Sequence, residues 1–363
     1  MIAIFDKFLG WGLDLTVWVV SRIYPYLRSK TGYANPRVRH LTSLTYPLHA
    51  VWVVRANIDK WLERRAPLFP AALQVQTINR CNAKCGMCPY PYTIHLQPRE
   101  SMDDALYSKI VAECAAEPDL QEFVPMSKNE PLLDPKLEAR IAEFKAVAAP
   151  HQMVEIVTNG SALTPARFSR LVKSGVDLIS ISLSAYTEET YKKVMQGLSW
   201  PQVMKNLEAL VSADTSHVNL FFRYIQQRDN QAEFPTFRKH WYRRGFNIFS
   251  FAINNRSGTV KDYERLSMVK SFFVQRLQKV MGRKYFRVCP YAFSLMHVLQ
   301  NGDVPLCAND WANREVLGNV RQTSLREIYN SPRLQEIRDL MRQGRYEEIA
   351  PCKDCSFWKD WLQ

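Results

Sequence analysis

The chain has 363 residues, 47% of them hydrophobic and 23% charged, and its formal net charge at pH 7 is +13. This composition is ordinary for a globular protein, and the length predicts about two domains. Eight cysteines are too few for a disulfide scaffold of this size, and no uncharged apolar run reaches the roughly 18 residues of a membrane span. The basic residues are scattered, so we expect no nucleic-acid partner. Because the cysteines do not suggest disulfides, a reducing compartment and hence a cytoplasmic location are expected.

Residues 1–68 form a predicted helical N-terminal extension, rich in Trp, Tyr, Leu and Arg and without a clear strand pattern. Five apolar residues fall roughly on one face of a helix: Phe5, Phe8, Leu9, Leu13 and Val17. Packing against the rest of the protein is the commoner reason for such a face. Peripheral membrane contact by residues 1–20, and with it membrane association, is the alternative.

Residues 69–260 alternate short apolar runs with helical patterns. The apolar runs predict six strands, at 73–79, 122–126, 153–158, 177–183, 218–224 and 246–253. Helices are predicted between them at 101–116, 136–148, 164–175, 188–196, 200–213 and 231–244. Ser101 is the expected N-cap of the first helix, and the third begins at Thr164 and ends near Gly175.

Six strand–helix units with continuously apolar strands predict a parallel sheet with helices outside it. The predicted fold class is therefore α/β, a partial (β/α)6 TIM-like barrel. Functional residues of such a barrel lie at the carboxyl ends of its strands.

The C-terminal part of the chain predicts a different architecture. Residues 261–285 are expected to form a linker helix, followed by a small β-hairpin and helix domain at 286–363. Asn301-Gly302 predicts a type I′ turn in a hairpin over residues 298–304, because this pair supplies two positive φ angles. One helix is predicted from about Ser324 to Arg342.

Three cysteines follow the first predicted strand directly. Cys81, Cys85 and Cys88 have the spacing C-x3-C-x2-C, which can place three thiolates on one iron–sulfur cube and leave the fourth iron without a protein ligand. An open coordination position is typical of a metal site that performs chemistry. The alternative is a structural zinc site with His95 as the fourth ligand.

Four further cysteines belong to the predicted C-terminal domain. Cys289, Gly302 and Cys307 form a C-x12-G-x4-C pattern, and Cys352 and Cys355 complete the set. Four thiolates can saturate one iron–sulfur cluster, whose work is then electron transfer. A zinc ribbon is the alternative.

The first cysteine pattern resembles the signature of the radical SAM superfamily. The second resembles the SPASM/Twitch modules, in the four-cysteine form of the 2-deoxy-scyllo-inosamine dehydrogenase family. The resemblance implies two [4Fe–4S] clusters, one auxiliary and one that binds S-adenosyl-L-methionine (SAM) through its open iron. Reductive cleavage of SAM would then give a 5′-deoxyadenosyl radical that abstracts hydrogen from a substrate C–H bond.

Several strand ends resemble the family's SAM-binding motifs. Residues 127–133 are similar to its Gly-Gly-Glu-Pro segment; Glu130 and Pro131 match, both glycines are replaced, and Asn129 is a candidate side-chain contact. The resemblance also implies SAM contacts at Asn159, at Ser182 and Ser184, and at Arg223. No catalytic residue is singled out.

The resemblance favours dehydrogenation of a sugar, a cyclitol or a related small polar compound, with the auxiliary cluster as electron acceptor. Radical epimerisation is one alternative, although Cys114, the eighth cysteine, is expected on a helix outside the site. Peptide maturation is another, and a non-enzymatic iron–sulfur or zinc scaffold is the weakest. The implied partners are a polar or anionic small-molecule substrate and an electron donor such as flavodoxin or ferredoxin.

Overall fold

The computed structural model describes residues 67–268 and 288–362, except 116 and 216, together with residue 275. The predicted N-terminal extension, apart from residues 67 and 68, and most of the linker helix lie outside the described residues. Of that linker, the structure gives the helix Tyr263–Leu266.

A seven-stranded parallel sheet forms the centre of the protein, in the order β6-β5-β4-β3-β2-β1-β7. Its strands are β1 Ala72–Val75, β2 Glu122–Val124, β3 Met153–Thr158, β4 Leu178–Ser182, β5 Asn219–Gln226, β6 Asn247–Ala252 and β7 Leu295–Val298. The first six confirm the predicted strands. The α/β class is also confirmed, because a parallel sheet of this kind is compatible with a partial TIM-like barrel.

Helices connect the strands of the barrel. They are α1 Tyr90–Thr93, α2 Asp104–Ala115, α3 Leu137–Val147, α4 Pro165–Ser174, α5 Glu188–Val194, α6 Trp200–Val211, α7 Phe234–Tyr242 and α8 Tyr263–Leu266. The C-terminal region adds α9 Tyr291–Ser294, α10 Leu325–Tyr329, α11 Pro332–Arg342, α12 Ala350–Lys353 and α13 Ser356–Leu362. No helix in these described ranges is long and apolar enough to cross a membrane.

The barrel core lies between the sheet and its helices. Phe123 of β2 stacks on Phe144 of α3 with ring centroids 4.1 Å apart, and both side chains are fully buried. Phe222 of β5 packs edge-on against Phe237 and at a tilt against Trp241, both of α7. Each such side chain contributes about 1.5–3 kcal/mol through burial, so the apolar strands fix the sheet that positions the loops at its carboxyl edge.

The start of α2 differs from the prediction. Ser101 forms an isolated bridge with Ile78, and Asp103 caps the helix by accepting a hydrogen bond from the Leu106 N–H at 2.9 Å. The carboxylate also suits the positive end of the helix dipole. The predicted N-cap at Ser101 is therefore wrong by two residues. Thr164 and Gly175 bound α4 as predicted, with Gly175 at φ 92°.

The predicted hairpin around Asn301-Gly302 is also corrected. Residues 295–298 join the large sheet as β7, parallel to β1, and β8 (Asp303–Pro305) pairs with β9 (Val316–Asn319). Gly302 has φ 95°, whereas Asn301 is not among the residues with positive φ, so the turn is not type I′. The hairpin of the C-terminal domain consists of β8 and β9.

The predicted helix at 324–342 is two helices. Ser324 forms a capping box with Glu327 at the start of α10, and Ser331 caps α11, whose first residue is Pro332. Because proline has no N–H to donate to the preceding turn, one continuous helix cannot pass through residue 332.

Candidate functional site

The first three cysteines lie on the loop that follows β1 and are half-buried. The turn after α5 holds this loop: Lys84 N–H donates to the Gln196 carbonyl at 2.6 Å. Gly197 has φ 85°, and a Cβ there would lie 3.2 Å from the Lys84 nitrogen. Glycine at this position therefore permits the close approach of the two loops.

Burial raises the pKa of all three thiols, to about 12 at Cys81 and well above the usual value at Cys85. At Cys85 the next causes are the charges of Cys88 and Cys81, so the three sulfurs lie within electrostatic reach of one another. Thiolates are costly here unless a cation accompanies them, and binding to iron supplies that charge.

The alternative zinc ligand, His95, is exposed in the short 3₁₀ helix Ile94–Leu96. Within the part of the chain that the structure describes, no three His, Cys, Asp or Glu side chains form a group that could hold a single metal ion.

Glu130 joins the ends of β2 and β3. Its carboxylate is buried and accepts hydrogen bonds from Leu132 N–H at 3.1 Å, Thr158 Oγ1 at 2.6 Å and Asn159 N–H at 2.7 Å. Burial raises its pKa, and these three donors oppose the rise. Glu130 therefore organises the strand ends next to the cysteine loop.

Two asparagines complete this region. Asn159 Nδ2 donates to Asn82 Oδ1 at 2.9 Å, which ties the end of β3 to the cysteine loop. Asn129 uses its Oδ1 to accept from Ser127 N–H, while its buried Nδ2 has no hydrogen-bond partner in the structure. A buried donor without a partner is unfavourable, and a bound ligand would satisfy it.

Two of the three remaining predicted SAM contacts already have protein partners. Ser184 is buried and its Oγ accepts from Ile225 N–H at 3.0 Å, and Arg223 forms an ion pair with Glu155. Burial by itself would raise the pKa of Glu155, but the charge of Arg223 and hydrogen bonds to the carboxylate lower it below its usual value. Ser182 is half-buried at the end of β4.

The second cysteine set is buried and lines one enclosed cavity. Cys289, Cys307, Cys352 and Cys355 share this cavity with Ser257, Trp358 and other side chains. Burial raises the pKa of Cys289, of Cys352 and, to about 12, of Cys307, and neighbouring thiols add to each rise. Trp358 Nε1 donates to the Cys352 carbonyl at 2.7 Å and so holds the segment that carries Cys352 and Cys355.

The loop after β6, residues 254–258, connects the two regions. Asn255 Nδ2 donates to the Asp354 carbonyl at 2.6 Å, and Asn255 Oδ1 accepts from Ser356 N–H at 2.9 Å. Arg256 Nη1 donates to Asn309 Oδ1 at 2.7 Å, two residues beyond Cys307. The sequence analysis did not identify this loop.

Both donor sets fit the implied cofactors. Three neighbouring thiols, together with the unpartnered amide of Asn129, suit a cluster with one open iron and a polar ligand on it. Four buried thiols around one cavity suit a cluster that the protein saturates.

Two protein-family models match the chain and together cover more than half of it. The model of the radical SAM superfamily matches residues 75–237, and the model of the SPASM iron–sulfur cluster-binding domain matches residues 289–356. A radical SAM domain implies a [4Fe–4S] cluster and SAM, and a SPASM domain implies auxiliary iron–sulfur clusters.

Similar proteins differ in what they act on. A tungsten-containing aldehyde ferredoxin oxidoreductase cofactor-modifying protein of Pyrococcus furiosus is 23% identical, over 78% of this chain and 86% of that protein. The S-adenosyl-L-methionine-dependent 2-deoxy-scyllo-inosamine dehydrogenase of Niallia circulans is 20% identical, over 78% of this chain and 92% of that protein.

Solved structures share the fold. BtrN in complex with AdoMet and 2-DOIA superposes with a TM-score of 0.55 at 18% identity, covering 79% of this chain and 93% of that one. Streptococcus suis SuiB bound to precursor peptide SuiA superposes with a TM-score of 0.59 at 14% identity, covering 83% and 73%. These structures show the shared fold. The two family models, together with the cysteine loops, show that the chain belongs to the radical SAM superfamily and carries a SPASM domain.

Proposed function

We propose that this radical SAM enzyme dehydrogenates a sugar, a cyclitol or a related small polar compound, converting one C–OH group to a carbonyl. The observation that carries the proposal is the second site, where four buried thiols line one cavity. Four thiolates leave a cluster no open iron for substrate, which suits electron transfer. The similarity to the Niallia circulans dehydrogenase, which spans most of both chains, supports the same reaction class.

Seven cysteines would hold the two clusters. Cys81, Cys85 and Cys88 would hold the SAM-binding cluster, and the auxiliary cluster would be held by Cys289, Cys307, Cys352 and Cys355. When bound, the first would supply a 5′-deoxyadenosyl radical from SAM to abstract the C–H hydrogen, and the second would accept the electron that remains when the hydroxyl proton is lost to solvent. The chain would receive its own electrons from a donor such as flavodoxin or ferredoxin.

Residues at the carboxyl ends of β2 to β5 would position SAM. Asn129 offers its unpartnered Nδ2, and Glu130 holds Asn159 and Thr158 in place around the cysteine loop. Contacts of Asn159, Ser182, Ser184 and Arg223 with SAM remain predictions. Since Ser184 is bonded to Ile225 and Arg223 to Glu155, we expect Ser184 chiefly to hold the end of β4 against β5 and Arg223 to link β5 to β3.

The position of Cys114 favours dehydrogenation over thiol-dependent epimerisation. Epimerisation requires a hydrogen donor on the second face of the substrate radical, and a cysteine thiol can serve. Cys114 is fully buried in the core on α2, and the other seven cysteines belong to the two sets. A buried core thiol of this kind behaves as a small apolar side chain.

Product mass distinguishes the enzyme reactions. Full-length protein, reconstituted without oxygen, is incubated with SAM, a reductant and a panel of deuterated cyclitols and sugars. Dehydrogenation predicts deuterium in 5′-deoxyadenosine and a carbonyl product that has lost two hydrogens. An epimer of unchanged composition, or turnover of a peptide and no member of the panel, would contradict the proposal. Absence of SAM cleavage under every reductant would favour the alternative of a non-enzymatic iron–sulfur or zinc scaffold.

A further inference from the structure

Arg256, which has no acidic partner in the described part of the chain, lies between the two cysteine sets. Arg256 follows β6, its charge lowers the pKa of Cys88, and its Nη1 donates to Asn309 Oδ1 at 2.7 Å. The side chain is half-buried, and in the described ranges no carboxylate lies within ion-pair distance of it. A half-buried guanidinium without a carboxylate partner is unfavourable, so this position is suited to an anion in addition to the thiolate of Cys88.

The backbone around Arg256 is held in an uncommon conformation. Arg256, Ser257 and Gly258 have successive positive φ angles of 47°, 54° and 78°. Arg314 Nη2 donates to the Ser257 carbonyl at 2.7 Å, and Asn255 is bonded to Asp354 and Ser356. Strained backbone that is fixed from several sides is characteristic of ligand sites, and here it directs Arg256 toward Asn309.

A second cation, Lys128, contacts the loop after Cys307, to which Asn309 belongs. Lys128 is buried, and its Nζ donates to the Asp310 carbonyl at 2.6 Å and to Asn313 Oδ1 at 2.7 Å. Both acceptors are uncharged; burial lowers the pKa of Lys128 to about 8, and the nearby charge of Asp310 opposes this lowering. Because Asp310 follows Asn309, Arg256 and Lys128 contact consecutive residues of the loop after Cys307.

We propose that Arg256, with Lys128 beside it, binds an oxyanion of the substrate, either a carboxylate or a phosphate. Resting on the proposed function, this narrows the substrate class to anionic compounds. The planar guanidinium matches both oxyanions with paired N–H donors, which a neutral side chain cannot do. Bound there, the anion would lie between the first cysteine set and the loop that follows Cys307.

Calorimetric titration of full-length reconstituted protein tests the proposal, with inorganic phosphate, acetate and neutral myo-inositol as probes. Wild type is expected to bind phosphate or acetate, and the tighter of the two identifies the oxyanion. Binding should be about tenfold weaker or worse in Arg256→Gln. Arg256→Lys keeps the charge and should retain part of the affinity, which separates charge loss from misfolding.

Arg265→Gln is the matched control, because Arg265, nine residues after Arg256, is exposed and pairs with Asp229. Equal affinity in Arg256→Gln and wild type, equal weakening in Arg265→Gln, or no anion binding by wild type would overturn the proposal. SAM cleavage is measured on the same preparations. If wild type binds anions through Arg256 but cleaves no SAM, the proposed function fails and the anion site stands.

Discussion

Six of the seven cysteines in the two sets have raised pKa values, and burial is the largest cause at each of them. Since the thiolate is the metal ligand, cluster assembly must displace protons that burial holds in place. The loops are therefore folded for the cluster-bound form, in which iron offsets the thiolate charges.

Replacing Cys85 by alanine should abolish SAM cleavage. The change removes one of three thiolates and leaves too few ligands for a cluster with a single open iron. Release of 5′-deoxyadenosine by anaerobically reconstituted protein is the measurement. Cys114→Ala is the control, because this thiol is in the core, and it should keep full cleavage. Retained cleavage in Cys85→Ala would refute the assignment.

Replacing Cys352 by alanine should distinguish the function of the first cysteine set from that of the second. We expect SAM cleavage to persist, whereas substrate dehydrogenation should be lost because the second set no longer holds its cluster. Iron should fall from about eight to about four per chain, as expected when one of two cubane clusters is lost. An unchanged iron content would show that Cys352 is not a ligand.

Sequence spacing predicted those site residues that belong to recognisable sequence motifs. The first cysteine set and Glu130 stand in short motifs, and the second cysteine set was predicted from its spacing and family resemblance; their roles remain predictions. Lys128, Glu155 and Arg256 were missed, because their roles depend on partners 25 to 185 positions away. A usable signal for Glu155 was its place as the one acidic residue in the apolar strand β3.

At the scale of elements, apolar periodicity predicted all six barrel strands but not β7. The sequence indicated a hairpin over residues 298–304 instead. The pairing of β7 with β1 joins segments that are far apart in the chain, and local periodicity does not show it. Proline at 332 was a readable signal for the break between α10 and α11. β7, which begins six residues after Cys289, joins the sheet that carries the first cysteine loop.

The loop after β6 should depend on Asn255. Its side chain makes two hydrogen bonds to the segment 354–356, so Asn255→Ala should lower the free energy of unfolding by about 1–3 kcal/mol. Hydrogen exchange at the Ser356 amide should accelerate. Asn330→Ala, which removes two comparable bonds to Leu68 and Arg326, is the control and should leave that amide unchanged. An unchanged exchange rate of the Ser356 amide in Asn255→Ala would contradict the proposal that this loop connects the two regions.

Considering the whole molecule, the two family models fall inside the predicted domains at 69–260 and 286–363. The domain boundaries themselves remain predictions. Lys128 and Arg256 from the first domain bond to the loop after Cys307 of the second, so the two regions meet where the substrate is proposed to bind.

The apolar face predicted in residues 1–20 lies outside the described residues and remains open to test. Packing is its commoner role, so we expect full-length protein not to float with vesicles of phosphatidylcholine and phosphatidylglycerol. Phe8→Asp should then lower the free energy of unfolding in urea. Flotation that Phe8→Asp abolishes would instead establish membrane contact.

Electron paramagnetic resonance of the reduced, oxygen-free protein tests the central claim most directly. If three thiols leave one iron open to SAM and four others saturate a second cluster, two cluster signals should be present, and added SAM should change only the first. Zinc in place of iron at Cys81, Cys85 and Cys88, or cluster signals that SAM leaves unaltered, would contradict the account.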